Sequence, residues 1–221
     1  MAIPDKLVAL LEPLADPARA APMRAYMKNR FEFLGIGTPA RRAAITPLLR
    51  SLKGIASAQL LDAAGQLWRM PRREYQYCAL DLLARHWKQL SLADLDALLG
   101  LVREQSWWDS VDGLASVIGD IVRRERTEGQ ARMDAALLSS DLWTRRVAML
   151  HQNGWRGDTD QARLFAYARQ LAPEPDFFIR KAIGWALRDY ARHDPEGVRH
   201  FLAAETGRFS GLTVREAAKH L

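Results

Sequence analysis

The segment Ser106-Trp107-Trp108-Asp109-Ser110-Val111-Asp112 gathers two tryptophans and two carboxylates within about two helical turns. At about 100° per residue, Trp107, Val111, Leu114 and Ile118 make one apolar stripe, which is the face expected to be buried. Trp108 and Asp112 then share the adjacent, partly exposed face, one turn apart. A second segment, Asp176 to Tyr190, repeats the arrangement: Ile179, Ile183, Ala186 and Tyr190 follow core spacing, while Phe178, Lys181 or Ala182, and Trp185 lie on the neighbouring face. Indole faces and carboxylates are groups that favour a nearby positive charge. Gly184, just before Trp185, costs about 1 kcal/mol in a helix interior. That cost implies close approach of a ligand or another helix to the backbone. The plain alternative is that Trp108 fills a wide core and that Asp109 and Asp112 are solvated.

Basic residues recur at comparable positions: Arg41 and Arg42, Arg72 and Arg73, Arg145 and Arg146, Arg180 and Lys181, preceded by Arg24, Lys28 and Arg30. If the chain is built of repeats, one repeated position projects to one surface, and a row of Arg and Lys there is the electrostatic footprint of a polyanion track. Pairing with acids such as Glu74, Asp109 or Asp189 is the competing fate. The formal net charge is only +6, but 26 of the 32 basic residues are arginine, whose planar fork suits phosphates and carboxylates. An arginine-rich genome would produce the same ratio.

These residues must be held by helices. Only 23 of 221 residues are Val, Ile or Thr, too few for a substantial sheet, and helical periodicity runs from end to end. Breaks fall at Gly35-Ile36-Gly37-Thr38-Pro39, Lys53-Gly54, Met70-Pro71, Gly154, Gly157, Pro173, Pro175, Pro195 and Gly211, which predicts about a dozen helices. Thr38-Pro39, Ser91, Asp176 and Asp194-Pro195 are expected to cap or open helices. LWTRRVAML, FFIRKAIGW and LTVREAAKH align with Arg145, Arg180 and Arg215 in register, 35 residues apart. A period of that length is one helical hairpin per repeat. Such hairpins must stack to bury their apolar faces, which predicts an all-α solenoid of five or six stacked pairs, forming a single domain over 1–221 with a concave basic face.

Other chemistry is excluded or unsupported. The single Cys78 has no disulfide partner and lies among apolar neighbours, as expected for a buried thiol in a reducing compartment. The N-terminal residues do not read as a signal peptide and no segment approaches the roughly 18 apolar residues of a membrane span, so a cytoplasmic protein without a membrane partner is expected. The five histidines lack metal-ligand spacing, and no phosphate-cradling glycine loop or serine nucleophile elbow is present. Neither metal nor cofactor is implied.

YMKNRFEFLGIGTPARR (26 to 42), REYQYCALDLL (73 to 83), SWWDSVDGLA (106 to 115), DLWTRRVAML (141 to 150) and DFFIRKAIGWALRDYA (176 to 191) together resemble the bacterial DNA alkylation repair family of alkylpurine DNA glycosylases built from HEAT-like repeats. The likeness spans nearly the whole chain in order. It implies about six stacked HEAT-like antiparallel helix pairs that grip duplex DNA containing alkylated purines and excise N3- and N7-alkylated bases without a base-binding pocket. By motif, Trp108 and Asp112 match the family's cleft tryptophan and catalytic aspartate, and Trp185 its second cleft tryptophan. Arg146 matches the arginine beside the lesion, and Tyr26 an aromatic residue at the cleft edge. Lys28, Arg42, Arg73, Arg145, Phe178, Arg180 and Lys181 complete the expected DNA-binding set. No lysine stands with the two tryptophans and Asp112 in these motifs, so a monofunctional glycosylase, acting as a monomer, is expected. A non-catalytic solenoid that binds DNA structures shares every basic residue and differs at Trp108, Asp112 and Trp185. A scaffold binding acidic peptides is a second alternative.

Overall fold

A computed structural model describes residues 1–221 and contains thirteen α-helices, five short 3-10 turns and no strand; the only β feature is an isolated bridge between Glu32 and Arg72. The chain divides into two compact units, Met1–Gln105 and Ser106–Leu221.

The first unit holds α1 (Ile3–Leu11), α2 (Pro17–Tyr26), α3 (Thr38–Ser51), α4 (Ser57–Trp68), α5 (Arg73–His86) and α6 (Leu95–Arg103). Helices α4 and α5 pack face to face, α1 lies against α3 and α4, and the core is closed by Leu7, Leu11, Ile45, Leu60, Leu67, Trp68 and Leu82. Cys78 is fully buried there, and burial pushes its thiol up to about 12, so it stays protonated. The Gly35–Gly37 break is not a slack loop. Glu74, at the start of α5 and buried, accepts hydrogen bonds from the backbone N–H groups of Leu34, Gly35 and Ile36 at 2.9, 2.9 and 3.1 Å. Gly35 has φ +91°, and a Cβ on it would come within 2.0 Å of the Asp16 carbonyl oxygen. Thr38 sits inside the first turn of α3 rather than capping it, since Gly37 is the N-cap residue.

The second unit holds α7 (Trp108–Arg124), α8 (Arg126–Leu137), α9 (Leu142–Leu150), α10 (Gln161–Leu171), α11 (Phe177–Ala191), α12 (Pro195–Ala204) and α13 (Gly211–Ala217). Here the repeat is visible. Helices α7, α9, α11 and α13 contact one another in that order, while α8, α10 and α12 form the other layer. Hairpins stacked in this way bury between them what one pair alone would leave exposed. The last five helices each carry a side-chain cap: Asp141, Asp160, Asp176, Asp194 and Ser210 accept backbone N–H hydrogen bonds in the first turns of α9, α10, α11, α12 and α13. A cap of this kind contributes about 1 kcal/mol.

The 35-residue register has a structural cause. The Arg145 guanidinium donates to the Ser139 and Ser140 carbonyls at 2.8 and 2.9 Å and to both oxygens of Glu174 at 2.8 Å. Arg180 donates from Nε to the Glu174 carbonyl at 3.1 Å. In both repeats the arginine ties its helix to the loop six residues earlier. The repetition of these arginines therefore has a folding reason that their charge alone does not suggest.

Candidate functional site

The buried stripe of α7 is made by Val111, Leu114 and Ile118, all fully buried. Trp107 departs from the expected stripe. It is the N-cap residue, with extended backbone (φ −159°), because the helix begins one residue later at Trp108. Its half-buried ring instead packs with Trp143 and Phe178, at centroid separations of 5.9 and 4.9 Å, and Trp143 and Phe178 are themselves 4.9 Å apart. Phe178, expected on the DNA-binding face, is thus part of an aromatic cluster joining α9 and α11 to the entry of α7. Trp143 belongs to that cluster and was not singled out by its sequence position.

Trp108 opens α7, half-buried, one turn before Asp112. Arg146, on α9, clamps Asp112 in bidentate fashion: Nε donates to Oδ1 at 2.7 Å and a terminal nitrogen donates to Oδ2 at 2.8 Å. The remaining terminal nitrogen of Arg146 donates to the Phe178 carbonyl. All three arms of the guanidinium are therefore committed, and its side chain is buried. Burial pushes the Asp112 carboxyl above its usual range, while the Arg146 hydrogen bonds and charge pull it back down.

The Arg146 guanidinium carbon also lies 5.3 Å from the ring centroid of Trp185 on α11. Arg146 thus joins the Asp112 carboxylate to the second tryptophan. Lys181, one turn before Trp185, places Nζ 5.4 Å from that ring's centroid, and Arg188 comes within 5.7 Å. Contrary to the expectation that no lysine accompanies the tryptophans, Lys181 does. Its ammonium is paired with Glu216 at 2.8 Å. A paired, charged ammonium is not a nucleophile.

Glu216, on α13, was not anticipated. It is buried and accepts from the Trp185 indole Nε1–H at 3.1 Å, Arg188 at 3.0 Å and Lys219 at 2.9 Å, besides Lys181. These partners hold its carboxyl down at about 2, the Lys181 hydrogen bond contributing most. The signal was present one column from the aligned arginines: Arg146, Lys181 and Glu216 stand 35 residues apart, so the column contains a sign change. Gly184 is explained by the same helix. A Cβ there would lie 2.5 Å from Glu216 Cβ and 2.9 Å from the Thr213 carbonyl oxygen, so helix packing is what approaches its backbone.

The remaining expected contacts divide between the units. In the first unit, Tyr26 ends α2 with 69% exposure, and Lys28 follows it, exposed, with φ +57°. Arg42 is exposed and pairs with Asp81 at 3.0 Å. Arg73 is fully buried, its guanidinium 3.8 Å from the centroid of Phe31 and donating to the Gln105 carbonyl at 2.9 Å. Its surroundings make it an internal strut. In the second unit, Arg145 is held by Glu174, and Arg180 is half-buried against the preceding loop. No group of three or more His, Cys, Asp or Glu side chains is placed to hold a metal ion, and no helix is long and apolar enough to cross a membrane.

Comparison with known proteins points in one direction. A sequence model described as DNA alkylation repair enzyme matches residues 7–221. A protein of Enterococcus faecalis described as a predicted DNA alkylation repair enzyme is 33% identical, with 94% of this chain and 96% of that one covered and a TM-score of 0.87. Two Streptococcus mutans structures share the fold: smu.31 at 17% identity, TM-score 0.62, covering 91% of this chain and 97% of its own, and AlkD2 at 18%, TM-score 0.60, covering 80% and 87%. No curated protein matches the sequence.

Proposed function

Because the chain belongs to the DNA alkylation repair enzyme family, we propose that it is a monofunctional DNA glycosylase that hydrolyses the N-glycosidic bond of N3- and N7-alkylated purines in duplex DNA. The observation that carries this reading is the Asp112 carboxylate, clamped from behind by Arg146 and linked through it to the face of Trp185.

The chemistry needs little else. A purine alkylated at N3 or N7 already carries a positive charge, so when the bond to C1′ breaks the base takes the bonding pair and leaves neutral, without a general acid. Positive charge then develops on the deoxyribose as oxocarbenium character. Asp112 stabilises that charge directly, and it can orient the water that adds to C1′ and accept its proton. Trp108 and Trp185 offer indole faces to the same sugar. Contacts of this kind are worth roughly 1–2 kcal/mol each when desolvated, about tenfold in rate, so Asp112 carries the larger share. Selectivity comes from the lesion's weakened bond, which removes the need to read an extruded base in a fitted pocket.

Exposed cations and Tyr26 supply the backbone contacts in this reading. Arg146 is assigned first to Asp112, since its guanidinium is already fully engaged. Purified protein incubated with methylated duplex should release 7-methylguanine and 3-methyladenine and leave abasic sites. Binding to the duplex with no base released would favour the non-catalytic alternative.

A further inference from the structure

Trp185 is surrounded by positive charge. Arg146, Lys181 and Arg188 all approach within 6 Å of its ring centroid, at 5.3, 5.4 and 5.7 Å. An indole already facing three cations is a poor place to receive another, because like charges repel most where water is scarce. Arg146 is neutralised by Asp112, and the other two converge on one carboxylate, Glu216. That carboxylate also takes the indole Nε1–H, which fixes the ring about its side-chain torsions.

Resting on the glycosylase reading of this site, we propose that Glu216 is a positioning residue for Trp185: it fixes the indole by Nε1 and offsets part of the positive charge that Lys181 and Arg188 place beside it. The ring face is thereby set, in orientation and potential, to meet a positive charge developing on a substrate. Glu216 itself reacts with nothing.

Two features make this a built arrangement. Glu216 is buried with each partner within hydrogen-bond distance, so its negative charge is applied at the ring. The helix that carries it is seated against Gly184, the residue next to Trp185, where a Cβ would stand only 2.5 Å from Glu216 Cβ. The glycine thus sets the distance between the carboxylate and the indole. Gly184→Ala disturbs that distance without touching any charge.

The test is a double-mutant cycle with Glu216→Gln and Trp185→Phe, reading single-turnover release of 7-methylguanine together with duplex affinity. Glu216→Gln should slow release about tenfold, since the loss runs through one cation–π contact, while duplex affinity holds or rises because a negative charge has gone. In the Trp185→Phe background it should slow release no further. An equal slowing in both backgrounds, or none in either, overturns the proposal. The Trp185 indole N–H resonance, identified by its loss in Trp185→Phe, provides a readout independent of activity. It should shift and exchange faster with solvent in Glu216→Gln and in Gly184→Ala; an unchanged resonance in both overturns the positioning role. If the wild type releases no base, the glycosylase reading fails on its own, and this resonance alone decides whether Glu216 holds the ring.

Discussion

Arg146 is the more deeply buried member of its pair with Asp112: its side chain is 1% exposed against 26% for the carboxylate. The guanidinium sits behind and the carboxylate in front. A carboxylate so held is aimed outward, available to a positive charge arriving from solvent, and cannot rotate away without leaving a buried cation uncompensated. Losing one partner of such a pair typically costs 3–5 kcal/mol.

The pair sets an expected pH dependence. In the proposed mechanism Asp112 acts as the anion, so activity should fall as pH drops through its pKa. Burial raises that pKa and Arg146 lowers it. Arg146→Met removes the lowering contribution. The acidic limb of the release rate should move to higher pH, as measured from single-turnover rates between pH 4 and 8. An unmoved limb would detach Asp112's ionisation from Arg146.

Lys181 bears on the second product. With its ammonium paired to Glu216, no Schiff base with the abasic sugar should form, and borohydride added during turnover should trap no protein–DNA adduct. Adduct formation in the wild type, abolished by Lys181→Met, would make the enzyme bifunctional.

Glu216 should be visible in stability as well as catalysis. Its folded-state pKa of about 2 lies below the ordinary 4.5. Stabilisation from this group is therefore fully present above pH 4.5 and is lost as pH falls toward 2, amounting to at most roughly 3 kcal/mol. Denaturant melts between pH 5 and pH 2.5 should show a shallower loss in Glu216→Gln than in wild type. Identical slopes would contradict the ion-pair network around it.

His151 gives the opposite case of a buried base. It lies inside the second unit, with its ring nitrogens facing the Ala148 carbonyl at 2.6 Å and Gln130 at 3.1 Å, and burial lowers its pKa to about 4. The unfolded chain takes up a proton near 6.5 while the fold does not, so stability should already fall as pH drops from 6.5 toward 4. His151→Gln should lessen that early loss.

Much of this architecture was legible from residue spacing, because helix periodicity and turn chemistry are local. Ile179, Ile183, Ala186 and Tyr190 are buried as their spacing required, and Asp176 caps its helix. Trp107 departed from the pattern because periodicity cannot say on which residue a helix begins, and a shift of one turned a stripe residue into a cap. The basic rows were ambiguous for a different reason: charge in sequence carries no partner. Arg145 and Arg73 turned inward to carbonyls and carboxylates that lie 29 to 32 residues away in the chain, which only the packed helices bring close. Glu216 was hidden because its meaning lies in four other side chains, and the sign change in its repeat column acquires significance only once α13 is seen against Gly184.

In the proposed mechanism Asp112 does the chemistry. Asp112→Asn keeps an acceptor for Arg146 but removes the charge, so the variant should remain helical by circular dichroism and bind methylated duplex. Its single-turnover release of 7-methylguanine should then fall about a hundredfold or more relative to wild type. A folded, DNA-binding Asp112→Asn protein that releases the base at the wild-type rate would contradict the account.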